Sequence, residues 1–224
     1  MLHHFLKCLR ATYTHTKEGG DYAVTYEEKT KTLYLLFQWS DGREDWKNNL
    51  AFRAVCLDPT APKGERWYCH RGFLKVWRAM EKEILSATEW YLRRYDVQQM
   101  VCVGYSHGAA LALLATREMT ASYGDRIPVK GYGFGCPRVI KGKLPPHIQQ
   151  QLSRFTSVRN IPDLVTHLPP KIFGFHHIGL VEIGEKGRYG RIKAHYAEAY
   201  IEAISAKEMP RRGFVWQSRS AGDT

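Results

Sequence analysis

The sequence predicts an α/β fold in which a mostly parallel central sheet carries helices on both faces. Three observations lead there. Apolar runs of four or five residues, such as "LYLLF" and "MVCV", read as strands with both faces buried. Longer segments show apolar residues at three- and four-residue spacing, the signature of helices packed on one side. The two kinds of segment alternate along the chain, as crossover-connected parallel strands require.

Each element follows in order. "YAVTYEEKTKTLYLLFQ", Tyr22 to Gln38, reads as two strands around a polar turn, the second almost wholly apolar. Phe73, Trp77, Met80, Ile84, Ala87 and Tyr91 place one amphipathic helix over Leu74 to Arg94. "QMVCVG" is a short buried strand, and "HGAALALLATREM" from His107 is a helix. "VKGYGFG" and "RFTSVRN" are two further strands, separated by a helical or looped piece around Pro145 to Leu152. "HIGLVEIG" is another strand, opened by His177. "AHYAEAYIEAISAKE" closes the pattern as a helix with Tyr196, Tyr200 and Ala203 on one side, and residues 208–224 read as a tail.

Composition fits one domain spanning residues 1–224. With 44% hydrophobic and 12% aromatic residues, the chain is too apolar for disorder. No apolar run approaches the roughly 20 residues needed to span a bilayer. The first residues, "MLHHFLKCLRATYTHTKEGG", lack the continuous apolar stretch of a signal peptide, so the expected location is cytoplasmic. The five cysteines have no C-x-x-C spacing, which argues for reduced thiols and against zinc or another metal. The formal net charge is +11. A solvated basic surface is the plain reading, and transient attraction to an anionic membrane surface the sharper one. Nucleic acid is not expected, because the basic residues are dispersed and no binding motif accompanies them.

The chemistry centres on "GYSHG". Ser106 stands at the carboxyl end of a buried strand and the first turn of a helix. In so sharp a turn, side chains two residues away on either side would clash, and Gly104 and Gly108 remove them. The serine hydroxyl is left exposed, and the helix N-terminus offers N–H groups where an oxyanion would form. G-x-S-x-G alone is a weak signal; strand before and helix after make it strong.

A serine nucleophile needs a base, and the base needs an orienting carboxylate. On a sheet of this kind the chain order is serine, acid, histidine. Asp163, in the proline-bounded loop "IPDLVTHLPP" at a strand's carboxyl end, is the acid; Asp125 lies at the wrong edge and Asp223 in the tail. His195, just before the final helix, is the favoured base, with His177 the alternative. His147, His167 and His176 read as surface or supporting residues.

Taken together, "FQWSDGREDW", "HRGF", "GYSHG", "FGCPRV" and "NIPDLVTHLPP" resemble, in that order, the class 3 lipase family, which includes the fungal triacylglycerol lipases. The resemblance runs from about Tyr22 to Ile204. It implies an α/β-hydrolase fold, a triad of Ser106, Asp163 and His195, and an oxyanion hole from the backbone N–H groups of Ser40 and His107. It implies no cofactor. The sequence departs from the family at Gln38-Trp39, where Arg-Gly is usual, which places Trp39, with Tyr105, beside the substrate pocket. His107 replaces a common leucine, and His70 and Arg71 read as scaffold. Between Trp46 and Trp67, Leu50, Phe52, Val55 and Leu57 form either an apolar flap or an ordinary connection. The function so implied is hydrolysis of acylglycerols or related lipid esters through an acyl-enzyme on Ser106. Phospholipase A1 or acyltransferase activity with the same triad, and a silent lipase-like binding protein, are the alternatives.

Overall fold

The computed structural model describes residues 1–17, 20–39 and 52–208, with Trp39 described through its backbone alone. Along the chain run α1 (Leu2–Arg10), β1 (Thr14–His15), β2 (Gly20–Glu27), β3 (Thr32–Trp39), β4 (Ala54–Cys56), β5 (Tyr68–His70), α2 (Arg71–Arg94), β6 (Gln99–Tyr105) and α3 (His107–Tyr123). There follow β7 (Val129–Phe134), β8 (Ile140–Lys141), α4 (Pro146–Gln151), β9 (Phe155–Asn160), β10 (Phe175–His176), β11 (Leu180–Ile183) and α5 (Ala197–Glu208).

Seven strands form the main sheet in the order β1-β2-β3-β6-β7-β9-β11. Strands β3, β6, β7, β9 and β11 are parallel, while β1 and β2 join antiparallel at one edge. The expected α/β architecture is borne out. Strand β3 shows why its run is continuously apolar. Alternate residues face opposite sides, and both sides are covered. Leu33, Leu35 and Phe37 enter the core beneath α2 and α3, whereas Tyr34 and Leu36 enter the one beneath α1 and α5.

Several elements depart from the sequence reading. Helix α1 was not foreseen, although Leu2, Phe5, Leu6 and Leu9 stand at helical spacing; it buries Phe5 and Cys8, with Leu2 and Leu9 packed against the same core. Helix α2 starts three residues early because the His70 imidazole accepts a hydrogen bond from the Gly72 N–H at 3.2 Å and caps it, a scaffold role. A second, antiparallel sheet, β10-β8-β5-β4, was also missed. It contains Val55, and Leu57 packs against the core beneath α2, so these two residues belong to scaffold rather than to a flap. Leu50 and residues 209–224 lie outside the described residues. The expected strand from His177 begins only at Leu180, and His176 ends β10 in the smaller sheet. Tyr196, expected on the buried side of the last helix, precedes that helix and is 54% exposed, while Tyr200 and Ala203 are buried. All five cysteines are free thiols.

Candidate active site

Ser106 occupies the corner between β6 and α3 with φ 55° and ψ −122°, a conformation that costs a non-glycine residue about 1–3 kcal/mol. The surroundings impose it. The Ser106 N–H donates to the Phe134 carbonyl on β7 at 2.8 Å, and the Ser106 carbonyl accepts from the Ala109 N–H at 3.0 Å. A Cβ at Gly104 would stand 2.0 Å from the Gly108 oxygen, and one at Gly108 2.2 Å from the Phe37 oxygen. Both collisions are with backbone, which no change of rotamer relieves. The two glycines are therefore a steric condition for the serine between them.

Strand β9 delivers the acid. Just past its carboxyl end the chain turns, with the Asp163 N–H donating to the Asn160 carbonyl at 2.9 Å. The Asp163 side chain has no exposed surface. Its Oδ1 accepts from the Val165 N–H at 2.8 Å. Its Oδ2 accepts from His195 Nδ1 at 2.8 Å and from the Tyr200 hydroxyl at 2.6 Å. His195 ends a short 3-10 turn, Lys193–His195, ahead of α5, and its Nε2 lies 2.8 Å from Ser106 Oγ. With Nδ1–H directed to the carboxylate, Nε2 is left to accept the serine proton. Ser106, His195 and Asp163 thus form one hydrogen-bonded chain, as the topology and the resemblance implied.

The rival histidines are placed elsewhere. His177 donates through Nε2 to the Thr166 carbonyl at 2.8 Å, and burial lowers its pKa to about 4. It supports the loop that carries Asp163 rather than bridging Asp163 and Ser106. His167 lends its carbonyl to the buried guanidinium of Arg138.

Three supporting residues had no assigned role. Tyr200 gives Asp163 a second donor; burial first, and then the charge of Asp163, raise its phenol pKa well above the ordinary value and keep the proton in place. Gly135, at φ +62°, lies so close to the imidazole that a Cβ there would stand 2.9 Å from His195 Cε1. Arg138 donates through Nη1 to the carbonyls of His167 and Pro169, the latter at 2.9 Å, and its N–H donates to the Leu168 carbonyl at 2.7 Å. These bonds fasten the loop that follows Asp163. Gly135 and Arg138 fall inside "FGCPRV", a motif that carried the resemblance without a role for its members. Tyr200 had only its helical spacing to mark it.

Tyr105, expected beside the substrate pocket, is turned toward the base. Its ring stacks on His195 at 5.4 Å with 20° between planes, packs against Phe5 and Tyr200, and its hydroxyl donates to the His195 carbonyl. It walls the imidazole from behind. His107 heads α3, where its N–H has no carbonyl within the helix to meet. Its imidazole is buried edge-on to Phe73 at 4.9 Å, and burial, with the nearby His70 second, lowers its pKa to about 3. The ring is neutral, and only the N–H is offered to an oxyanion. Ser40, the other expected donor, lies outside the described residues, as does the Trp39 side chain.

The sequence pattern of the class 3 lipases matches residues 34–173. The chain is 28% identical over 161 residues to a lipase of Rhizomucor miehei, covering 70% of this chain and 42% of that protein. It is 27% identical over 162 residues to secreted mono- and diacylglycerol lipase 1 of Fusarium solani, covering 72% and 46%. The chain thus spans less than half the length of these curated relatives. Among solved structures, lipase II from Rhizopus niveus superposes with a TM-score of 0.65 at 24% identity, covering 80% of this chain and 67% of that one. The shared architecture is the α/β-hydrolase fold.

Proposed function

Since the chain belongs to the class 3 lipase family, we propose that it is a serine-dependent hydrolase of acylglycerols or related lipid esters. The observation that carries this reading is the continuous hydrogen-bonded chain from Ser106 Oγ through His195 to buried Asp163.

That arrangement supports the following steps. Ser106 Oγ attacks the ester carbonyl carbon while its proton passes to His195 Nε2. Asp163, through Oδ2, supports the imidazolium that results. The carbonyl oxygen becomes an oxyanion facing the His107 N–H, with the Ser40 N–H the second donor that the resemblance to the family implies. Each such donor is worth roughly 10²–10³ in turnover. Collapse breaks the bond to the leaving alcohol, which takes the proton back from His195, and the acyl group stays on Ser106. Water then attacks that ester and gives a proton to His195, which passes it to Ser106 Oγ as the acyl–oxygen bond breaks and the carboxylic acid leaves.

The test is hydrolysis of p-nitrophenyl esters of increasing acyl length by the wild type and Ser106→Ala. A fall of several orders of magnitude in the variant, with labelling of the wild type alone by a fluorophosphonate, is expected. A wild type that neither turns over these esters nor takes the label would leave a lipase-like binding protein instead.

A further inference from the structure

His195 belongs to no strand. It ends a 3-10 turn in the segment between β11 and α5, so no ladder of backbone hydrogen bonds fixes it to the sheet. Both ring nitrogens take part in the proposed chemistry, and Nε2 changes its partner as the proton moves. A hold that lasts through turnover has to act elsewhere on the residue or its neighbours. Two side chains supply one. Asn160, the last residue of β9, donates through Nδ2 to the Ala194 carbonyl at 3.0 Å. Tyr105, the last residue of β6, donates its hydroxyl to the His195 carbonyl. The two carbonyls are consecutive, and the two strands are those that lead to Asp163 and Ser106.

Each donor is itself fixed. Asn160 is 1% exposed. Its N–H donates to the Tyr200 hydroxyl at 3.1 Å, and its carbonyl accepts from the Asp163 N–H at 2.9 Å. Its Oδ1 is seated against Gly184, where a Cβ would stand 2.3 Å away, which leaves Nδ2 for Ala194. The Tyr105 ring packs against Phe5, Tyr200 and the imidazole. Burial raises its phenol pKa above the ordinary value, so the hydroxyl keeps the proton it donates. Ala194 is fully buried, and its own N–H donates to the Gly190 carbonyl at 2.9 Å.

We infer that Asn160 and Tyr105 are positioning residues, two clamps that hold the backbone of the base in place against the acid-bearing and nucleophile-bearing strands. The inference rests on the hydrolase reading and assigns the residues that keep Nε2 on Ser106 and Nδ1 on Asp163. Neither clamp uses a ring nitrogen, so neither has to break when the imidazole takes up or gives back its proton. Releasing one leaves the neighbouring carbonyl tied. Releasing both lets the imidazole drift from the two 2.8 Å contacts that proton transfer requires.

The experiment compares Asn160→Ser, Tyr105→Phe and the double variant with the wild type on soluble p-nitrophenyl butyrate, below the unfolding range set by a urea melt. Serine is too short to reach the Ala194 carbonyl but keeps the backbone bonds of residue 160, and phenylalanine keeps the stacked ring. Each single variant should lose about 10-fold in kcat, and the double variant about 100-fold, the cost of a base displaced by about 1 Å, with KM nearly unchanged. Tyr123→Phe, which removes a hydroxyl bond to Glu89 at the far end of α3, is the control and should keep wild-type turnover. Proton NMR gives a reading independent of activity. The low-field Nδ1–H resonance of His195, identified by its absence in His195→Ala, should move in each single variant and further in the double. Wild-type kcat with an unmoved resonance in the double variant would overturn the inference, as would a loss carried by KM alone. If Asn160→Ser fails to fold, Tyr105→Phe decides by the same two readings. A wild type without turnover, whose resonance still moves in the variants, overturns the hydrolase reading and supports the clamps.

Discussion

Tyr200 and Asp163 are joined by a 2.6 Å hydrogen bond inside the protein, on the same carboxylate oxygen that receives Nδ1–H of His195. The phenol shares the carboxylate's negative charge, so less of it is available to the imidazolium. Tyr200→Phe removes the donor and keeps the ring. Stability falls by about 1–3 kcal/mol, the cost of leaving a buried acceptor short of a partner. A urea melt of the variant checks the loss; an unchanged unfolding free energy would show that the bond adds nothing to stability.

Gly135→Ala tests how little room the imidazole has. The new Cβ would stand 2.9 Å from His195 Cε1 and 3.2 Å from Nδ1, at a residue with φ +62°. His195 cannot yield without losing its bonds to Ser106 or Asp163. Turnover should drop by at least about 100-fold through misplacement of the base, with KM little altered. The left-handed backbone adds about 1–2 kcal/mol of destabilisation. Steady-state kinetics on a soluble ester separates the two parameters.

Arg138→Met removes the side-chain donor that the carbonyls of His167 and Pro169 share. A buried acceptor at Pro169 and a partly buried one at His167 lose a partner, for a loss of about 2–4 kcal/mol in the urea-unfolding free energy. Turnover falls as well, because the loop after Asp163 is no longer fastened. Arg138→Lys should recover only part of either, since an ammonium is a point charge without the guanidinium's planar set of donors. Full recovery by lysine would mean that charge alone matters there.

Acid stability should depend on the buried imidazoles. In the unfolded chain His107 binds its proton near 6.5, and in the fold only near about 3. Between these values the unfolded chain holds more protons. The stabilisation is therefore complete above 6.5 and is lost as pH falls through the window. His4 and His177, both lowered to about 4 chiefly by burial, act with the same sign. His107→Leu, the residue common in the family, should make the decline of Tm on acidification shallower. Soluble-ester turnover should stay within a few-fold, because only the backbone N–H serves the oxyanion. Parallel Tm curves for the two proteins would refute the assignment.

What could be read from the sequence was whatever its local pattern dictates. Ser106 announced itself because a buried strand, two glycines and a run of helix formers lie within one short stretch. Asp163 followed from the order in which a parallel sheet presents its carboxyl edges, and the same order favoured His195 while leaving His177 open. The smaller sheet stayed invisible because its strands are two or three residues long, too short for alternation to register. Tyr196 was misplaced because helical spacing continues through a residue that caps the 3-10 turn before the helix. The contacts of Tyr200, Gly135 and Arg138 join positions far apart in the chain, where no short-range pattern records them.

The separation of the reacting groups along the chain has a consequence for how activity is acquired. Ser106 and His195 stand 89 residues apart, and His195 and Asp163 stand 32 apart, yet all must meet within hydrogen-bonding distance. Helix α3 can form from local contacts, but the base arrives only when the segment after β11 has docked beside β9. On the proposed activity, ester turnover during refolding should therefore appear after most of the helical circular dichroism has returned, making it a built-in reporter of the chain's last folding step.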